Sequence, residues 1–530
     1  MKNNNTNRNT YLPLIISVAV AIGIMIGIYL PGRNMQNAGI LQKSDKLKNI
    51  LNIIETNYVD SINRNDLVES AIPAILRKLD PHSVYIPAKD LARANEPLQG
   101  NFEGIGISFN LLTDTILIIS TIPGGPSEKL GLLPGDKILY VNDSLVAGKG
   151  ISDEKVMGML KGPKGTTVSV KILRNGQKEL LPFDITRDKI PMYSIDVAYM
   201  VNNNTGFIKI SSFAMTTYEE FMQKLEDLKS RGMTKLIVDL RGNSGGIMEA
   251  AIRISNQFLK RGELIVYTKG RKQPRQEARA TGKGEFGTGK LVILIDEYSA
   301  SASEILAGAI QDNDRGTIIG RRSFGKGLVQ EPVSFSDGSG MRLTVARYYT
   351  PTGRSIQKPY EQGFEDYYND FAHRYANREF EVSDSIHFPD SLKFTTPGGR
   401  IVYGGGGIMP DKFVPVDTSG ISPYFHKVRP HIFSFAMKYT ENNRATLKRY
   451  MEADEMEKHL DMQGLLDQFI RYASTKGIEK DQEGLEISGD IIKVQLKAYV
   501  ARNILDSRGF YPIWEQIDTT LKYAIDYLEN

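Results

Sequence analysis

The chain contains no cysteine in 530 residues. That excludes disulfides, a thiolate nucleophile, cysteine-ligated zinc and a lipidated N-terminal cysteine. It does not choose a redox compartment, because cysteine-free proteins occur in all of them. Histidine is scarce as well. The six are His82, His373, His387, His426, His431 and His459, so none falls between positions 83 and 372. A Ser-His triad built in that stretch would need a histidine folded in from outside it. A dominant charge is also missing. With 66 basic and 62 acidic residues the net charge is +4, and no basic run is interleaved with aromatics. Composition therefore gives no support to a nucleic-acid partner. There is no internal repeat and no low-complexity tract.

What is present begins with length. A chain of 530 residues exceeds one ordinary core, so three or four folded units are expected. Tyr11–Leu30 runs for twenty residues without a charge. That is enough to cross a hydrocarbon core of about 30 Å. Lys2 and Arg8 precede it, and the first acid is Asp45. Pro31-Gly32-Arg33-Asn34-Met35 offers no small-residue cleavage site. The span thus reads as an uncleaved signal anchor with the rest of the chain outside the cytoplasm, and a cleaved signal is the alternative.

The pattern divides the chain into a tail and anchor at 1–33, a helical region at 40–99, a β-rich module at 100–187, an α/β core at 188–417 and a helical region at 418–530. A polar linker is expected at 34–44. Residues 45–79 carry helical spacing, and Leu79-Asp80-Pro81 stops it. Glycine-punctuated strands fill 100–187. In the core, Leu236–Leu240 and Leu291–Ile295 are short apolar runs, as expected of strands buried on both faces. Each leads through small residues into a helical pattern, Met248–Phe258 and Ala302–Ala309, which is α/β alternation. Arg271–Gly289 reads as a charged, glycine-rich loop, and 359–392 as a polar, aromatic, acidic insertion. Residues 424–530 read as amphipathic helices, with Trp514 in the last.

Ser299, Ser301 and Ser303 alternate with alanine just after the second apolar run. Ligands of α/β proteins sit at the carboxyl ends of strands, and a helix N-terminus there suits an oxyanion. The competing reading is a helix cap, because Ser301 and Glu304 match a capping box. About 25 residues on comes Gly325-Lys326-Gly327. Flanking glycines allow a tight turn that aims the amine inward, with Gln330 able to hold it. Gly320 to Gly327 nearly matches a P-loop, but Gly327 removes the hydroxyl that would hold Mg²⁺. A solvated turn lysine is the ordinary alternative. Asp239 to Gly246 follows a buried strand, and its glycines would let backbone N–H groups converge on an anion. Serine with lysine is an accepted nucleophile–base pair that needs no histidine.

These stretches resemble the carboxy-terminal processing, or tail-specific, proteases. The matching segments are Asp80-Pro81-His82-Ser83, Asp239 to Gly246, Ser299 to Glu304, Phe324 to Gln330, Tyr349 to Arg354 and Gly407 to Asp411. The resemblance covers roughly residues 45–417. It implies a serine endopeptidase of a bacterial cytoplasmic membrane, crossing once and facing the periplasm or exterior, with a crotonase-like core. It implies Ser301 as nucleophile, Lys326 as general base and Gln330 as its orienting amide. The oxyanion donors would be the N–H of Ala302 and that of Gly245 or Gly246. No metal or cofactor is implied.

The module at 100–187 resembles a PDZ domain. Gly104-Ile105-Gly106-Ile107 matches the carboxylate-binding loop, and Gly131 to Leu139 the helix-to-strand turn. Such a module takes a free peptide C-terminus as an added strand. The partners expected are therefore protein or peptide substrates with a free C-terminus and, through the anchor, a membrane. A homo-oligomeric role for 418–530 stays open. Two rivals carry other functions: a PDZ scaffold with an inactive core, and a crotonase-type acyl-CoA enzyme.

Overall fold

The computed structural model describes residues 12–29, 46–111, 114–361, 363–383, 386 and 389–530. The chain divides into two units, residues 1–75 and 76–530. In the first, the uncharged run forms the helix Leu12–Tyr29, 18 residues long. At 1.5 Å per residue that is about 27 Å, a little under the hydrocarbon thickness. Among the described residues no helix is long and apolar enough to cross a membrane. Lys2, Arg8, Pro31–Met35 and the linker at 34–44 lie outside the described residues. The helical stretch from 45 is interrupted: helices span Lys46–Asn57 and Arg64–Leu76. The break comes where Asn63 Oδ1 accepts the Asn65 N–H at 2.9 Å and starts the second helix as an Asx turn.

In the second unit, residues 107–186 form an antiparallel sheet in the order Ile107–Leu111, Ile116–Thr121, Lys137–Val141, Thr167–Leu173, Leu181–Thr186. The period-two pattern fixes which face is buried. Val168, Val170 and Ile172 point inward, joined by Ile116, Ile118 and Val156 of the helix Asp153–Leu160. Gly104 to Ile107 is not one strand. It is the turn between Asn101–Gly104 and Ile107–Leu111, and Gly106 sits at φ +75°. Asn101–Gly104 pairs with Asp188–Pro191, so the chain enters and leaves the module through one two-stranded ladder.

The core sheet runs Ile195–Met200, Thr205–Ile210, Lys235–Asp239, Lys290–Ile295, Thr317–Gly320, Lys412–Phe413, and is parallel after the first pair. Its apolar runs are buried on both faces, as their composition requires. Leu236, Val238, Leu291 and Ile293 pack with residues of Thr217–Ser230, Met248–Ser255 and Ala302–Asp312. Ile237, Val292, Leu294 and Ile319 pack the other way, onto Leu521, Ala524 and Leu528. Each fully buried leucine contributes about 1.5–3 kcal/mol. Those from the final helix, Thr519–Glu529, therefore bind the end of the chain to the core sheet.

A second sheet joins Val84–Ile86, Gly340–Tyr349, Leu264–Lys269 and Gln276–Arg279, with Leu328–Ser334 also on Gly340–Tyr349. Arg271–Gly289 is thus not all loop, since its middle adds an edge strand. The insertion carries the helix Phe364–Ala376. The C-terminal region is helical, with its own core around Phe435, Phe469 and Leu496. Trp514 ends the segment Gln482–Trp514, two helices that meet at a kink at Asp506 (φ 54°), and is not in the last helix, because Glu515–Ile517 tightens into a 3₁₀ turn first.

Candidate active site

The parallel strand Lys290–Ile295 ends at Asp296, whose Oδ1 accepts the N–H groups of Gly242, Tyr298 and Ser299 at 2.9–3.1 Å. The turn this creates delivers three serines to three different fates. Ser299 Oγ donates to the Leu240 carbonyl and Ser303 Oγ to the Asn243 carbonyl, both at 2.9 Å. Both residues are fully buried. Ser301 alone lines a cavity of about 740 Å³, which Lys326 and Gln330 also line.

Ser301 adopts φ 55°, ψ −113°, in the left-handed half of backbone space, at the start of Ala302–Asp312. Such a conformation costs a non-glycine residue about 1–3 kcal/mol, and it persists where the surroundings enforce it. Ser301 and Glu304 form the capping box, with the Ser301 N–H donating to Glu304 at 2.8 Å. A hydroxyl oxygen that accepts in such a box keeps its own proton to give.

Glu304 organises the base as well. Its Oε1 accepts from Ser323 Oγ at 2.6 Å and the Gly325 N–H at 2.7 Å, and its Oε2 from the Lys326 N–H at 2.9 Å. Burial pushes its carboxyl up to about 7, against the pull of these four donors. The Gly327 N–H goes to Gln357 Oε1 at 2.8 Å. The backbone donors that would cradle a phosphate in a P-loop are therefore already spent on side chains.

Lys326 Nζ donates to Gln330 Oε1 at 3.1 Å. Gln330 in turn donates through Nε2 to the backbone carbonyl of His82. Burial pushes the Lys326 ammonium down, helped by the charge of Arg342 and opposed by Glu304 and Asp80. Removal from water disfavours the charged amine, the condition a lysine base requires.

Around Ser301 the loop Asp239 to Gly246 closes tightly. A Cβ on Gly245 would lie 2.7 Å from Ser301 Cβ, and one on Gly246 2.0 Å from the Phe213 carbonyl oxygen. Asn243, fully buried, shapes the turn by donating to the Ile210 carbonyl at 2.9 Å and accepting the Gly245 N–H at 2.8 Å. That spends the Gly245 donor. The Gly246 and Ala302 N–H groups donate to no described residue.

In the β-rich module, Ile105 and Gly106 have their carbonyls turned inward. Ser127 donates to the first through Oγ at 2.7 Å, and the Ile122 N–H to the second at 2.9 Å. Gly104 and Ile107 are the strand ends that flank them. Among the described residues Ile107–Leu111 pairs only with Ile116–Thr121, which leaves its outer edge for an added strand.

Three residues at the site were not anticipated in these roles. Glu304 was legible only as a cap partner. His82, from outside the histidine-free stretch, lies close enough to Lys326 to feel its charge. Burial first, and that charge second, push its imidazole down to about 4. Tyr367, in the insertion, bonds the His82 ring at 2.7 Å and gave no sequence signal.

A serine at the carboxyl end of a parallel strand and a half-buried lysine that line one cavity suit a serine peptidase. The comparisons agree. Residues 204–366 match Peptidase family S41 and residues 104–185 a PDZ domain. Residues 30–90 match the activating protease CtpB N-terminal domain, and 429–506 a family of unknown function. The carboxy-terminal processing protease CtpA of Bacillus subtilis is 33 % identical over 361 residues, 66 % of this chain and 76 % of that protein. The carboxy-terminal-processing protease of Bartonella bacilliformis is 37 % identical over 309 residues, 57 % and 70 % respectively. CtpB of Bacillus subtilis is 34 % identical over 319 residues, 59 % and 65 %. The chain belongs to the carboxy-terminal processing proteases of peptidase family S41.

Proposed function

We propose that the enzyme cleaves its substrates by a Ser301–Lys326 dyad with Gln330 in support. The supporting observation is that Ser301 and Lys326 line one cavity, their backbones joined through Glu304 and the amine's charge disfavoured by burial. Neutral Lys326 takes the Ser301 Oγ proton as that oxygen bonds to the scissile carbonyl carbon. The resulting oxyanion receives the Gly246 and Ala302 N–H groups. Lys326 then gives its proton to the leaving amine as the C–N bond breaks. Water repeats the sequence on the acyl-enzyme, with Lys326 again the base, and releases Ser301.

In the same reading the PDZ module selects chains by their free C-terminus, the core is crotonase-like, and the uncharged span holds the enzyme at a bacterial cytoplasmic membrane with its catalytic part outside. The test is single replacement of Ser301, Ser299, Ser303 and Lys326 by alanine, with casein or a tail peptide as substrate. Ser301→Ala and Lys326→Ala should be inactive and folded. Turnover by Ser301→Ala, with Ser299→Ala or Ser303→Ala dead, would overturn the assignment. Carbonate extraction of the full-length protein tests the anchor, and an N-terminally shortened secreted form would replace it with a cleaved signal.

A further inference from the structure

We propose that Tyr367, outside the core motifs, is a positioning residue for the base, acting on Lys326 through His82 and Gln330. The proposal rests on Lys326 being the base. Tyr367 lies on the insertion helix Phe364–Ala376 and is 2 % exposed. Its hydroxyl is 2.7 Å from His82 Nε2, and the two rings meet edge to face with centroids 5.3 Å apart. The backbone of His82 is fixed from the other side, where Asp80 Oδ1 accepts its N–H at 2.8 Å. With ring and N–H both held, the His82 carbonyl is left facing one donor, Gln330 Nε2. Gln330 Oε1 then receives Lys326 Nζ.

The same side chain backs the lysine along one further route, through its ring. Its ring lies 4.2 Å from Lys358 Nζ, and the Lys358 N–H donates to the Gly325 carbonyl at 2.9 Å. Tyr367 is therefore tied to the residue before Lys326 and to its orienting amide. Burial keeps the phenol protonated and the imidazole neutral, so the bond between them is a neutral one that survives across the working range. An amine that must meet a serine hydroxyl in one geometry depends on such support, and small misplacements of a catalytic group are costly.

The experiment is a double-mutant cycle in the full-length enzyme with a tail-peptide substrate. Tyr367→Phe keeps the ring and removes only the oxygen. It should lower kcat roughly tenfold and leave KM unchanged, the range expected for loss of orientation alone. In a Gln330→Ala background the same change should cost nothing further, because the route to the lysine is already cut. His82→Phe keeps an aromatic ring without its nitrogens and should reproduce this pattern, which preserves the test if Tyr367→Phe does not fold. Wild-type kcat in both variants would overturn the proposal. So would an equal loss with and without Gln330, since that is damage to the fold and not to the orientation of the base. Failure of the dyad reading has a separate signature, turnover by Lys326→Ala.

Discussion

Glu304 joins Ser301 to Lys326 through one oxygen: Oε2 accepts the Ser301 N–H at 2.8 Å and the Lys326 N–H at 2.9 Å. A buried carboxylate that accepts from both residues fixes their backbones relative to each other. Glutamine has the same shape but offers an NH₂ where two donors already point. Glu304→Gln should therefore lower kcat at least tenfold and leave about 1–3 kcal/mol of unsatisfied buried polarity in the fold. Steady-state kinetics with denaturant unfolding checks both. Wild-type kcat in a folded Glu304→Gln protein would show that the bridge is unimportant.

Lys326 predicts that stability and activity both rise with pH. Burial lowers its folded-state value below the usual 10.5. Between those two values the unfolded chain binds more protons than the folded one, so stability attributable to this group rises with pH. Lys326→Met removes the buried ammonium. It should be inactive, more stable than wild type at neutral pH, and progressively less advantaged toward pH 10.5. For the wild type, kcat/KM should rise with pH as the amine loses its proton. Thermal unfolding of both proteins across this range decides the stability half. A stability gap that does not change with pH would mean that Lys326 is not desolvated.

How much of this was legible in sequence depends on what each residue does locally. The α/β core was readable because Leu236–Leu240 and Leu291–Ile295 are short apolar runs, as parallel strands covered on both faces require, and each leads into a helical pattern. The Ser301 and Lys326 region was readable because small residues and glycines mark backbone that must turn sharply. Gly245 and Gly246 could not be separated from sequence, since the choice depends on where the Asn243 side chain points. His82 and Tyr367 were beyond reach for a different reason. They meet across 285 positions, and no local pattern records a contact of that range. Within the uncharged Tyr11–Leu30 run the described residues form the helix Leu12–Tyr29, but hydropathy alone did not fix its length.

Among the described histidines, His82 lies close enough to Lys326 to compete as base. Its imidazole is pushed down to about 4, so a His82 base would put the acid limb of kcat/KM near there. A lysine base puts that limb higher and leaves it in place in His82→Gln, with only the plateau reduced. The pH profile of that variant separates the two. An acid limb near 4 that vanishes in His82→Gln would make the histidine the base.

The PDZ module should distinguish a free C-terminus from a blocked one. Among the described strands the Ile107–Leu111 edge is unpaired, and beside it the Ile105 and Gly106 carbonyls are engaged within the module, which favours N–H groups as what the turn offers a ligand. A carboxylate suits such donors, and an amide adds two N–H groups that do not. Binding is best measured on full-length Ser301→Ala, which holds substrate without turning it over. A tail peptide with a free carboxylate should bind at least tenfold tighter than its C-terminal amide, the scale of losing a charge-assisted contact. Gly106→Ala should erase that difference, because Gly106 sits at φ +75° and a Cβ there would approach Ile190 Cδ1 at 3.1 Å. Equal affinities for acid and amide in Ser301→Ala would mean that the module reads something other than the chain end.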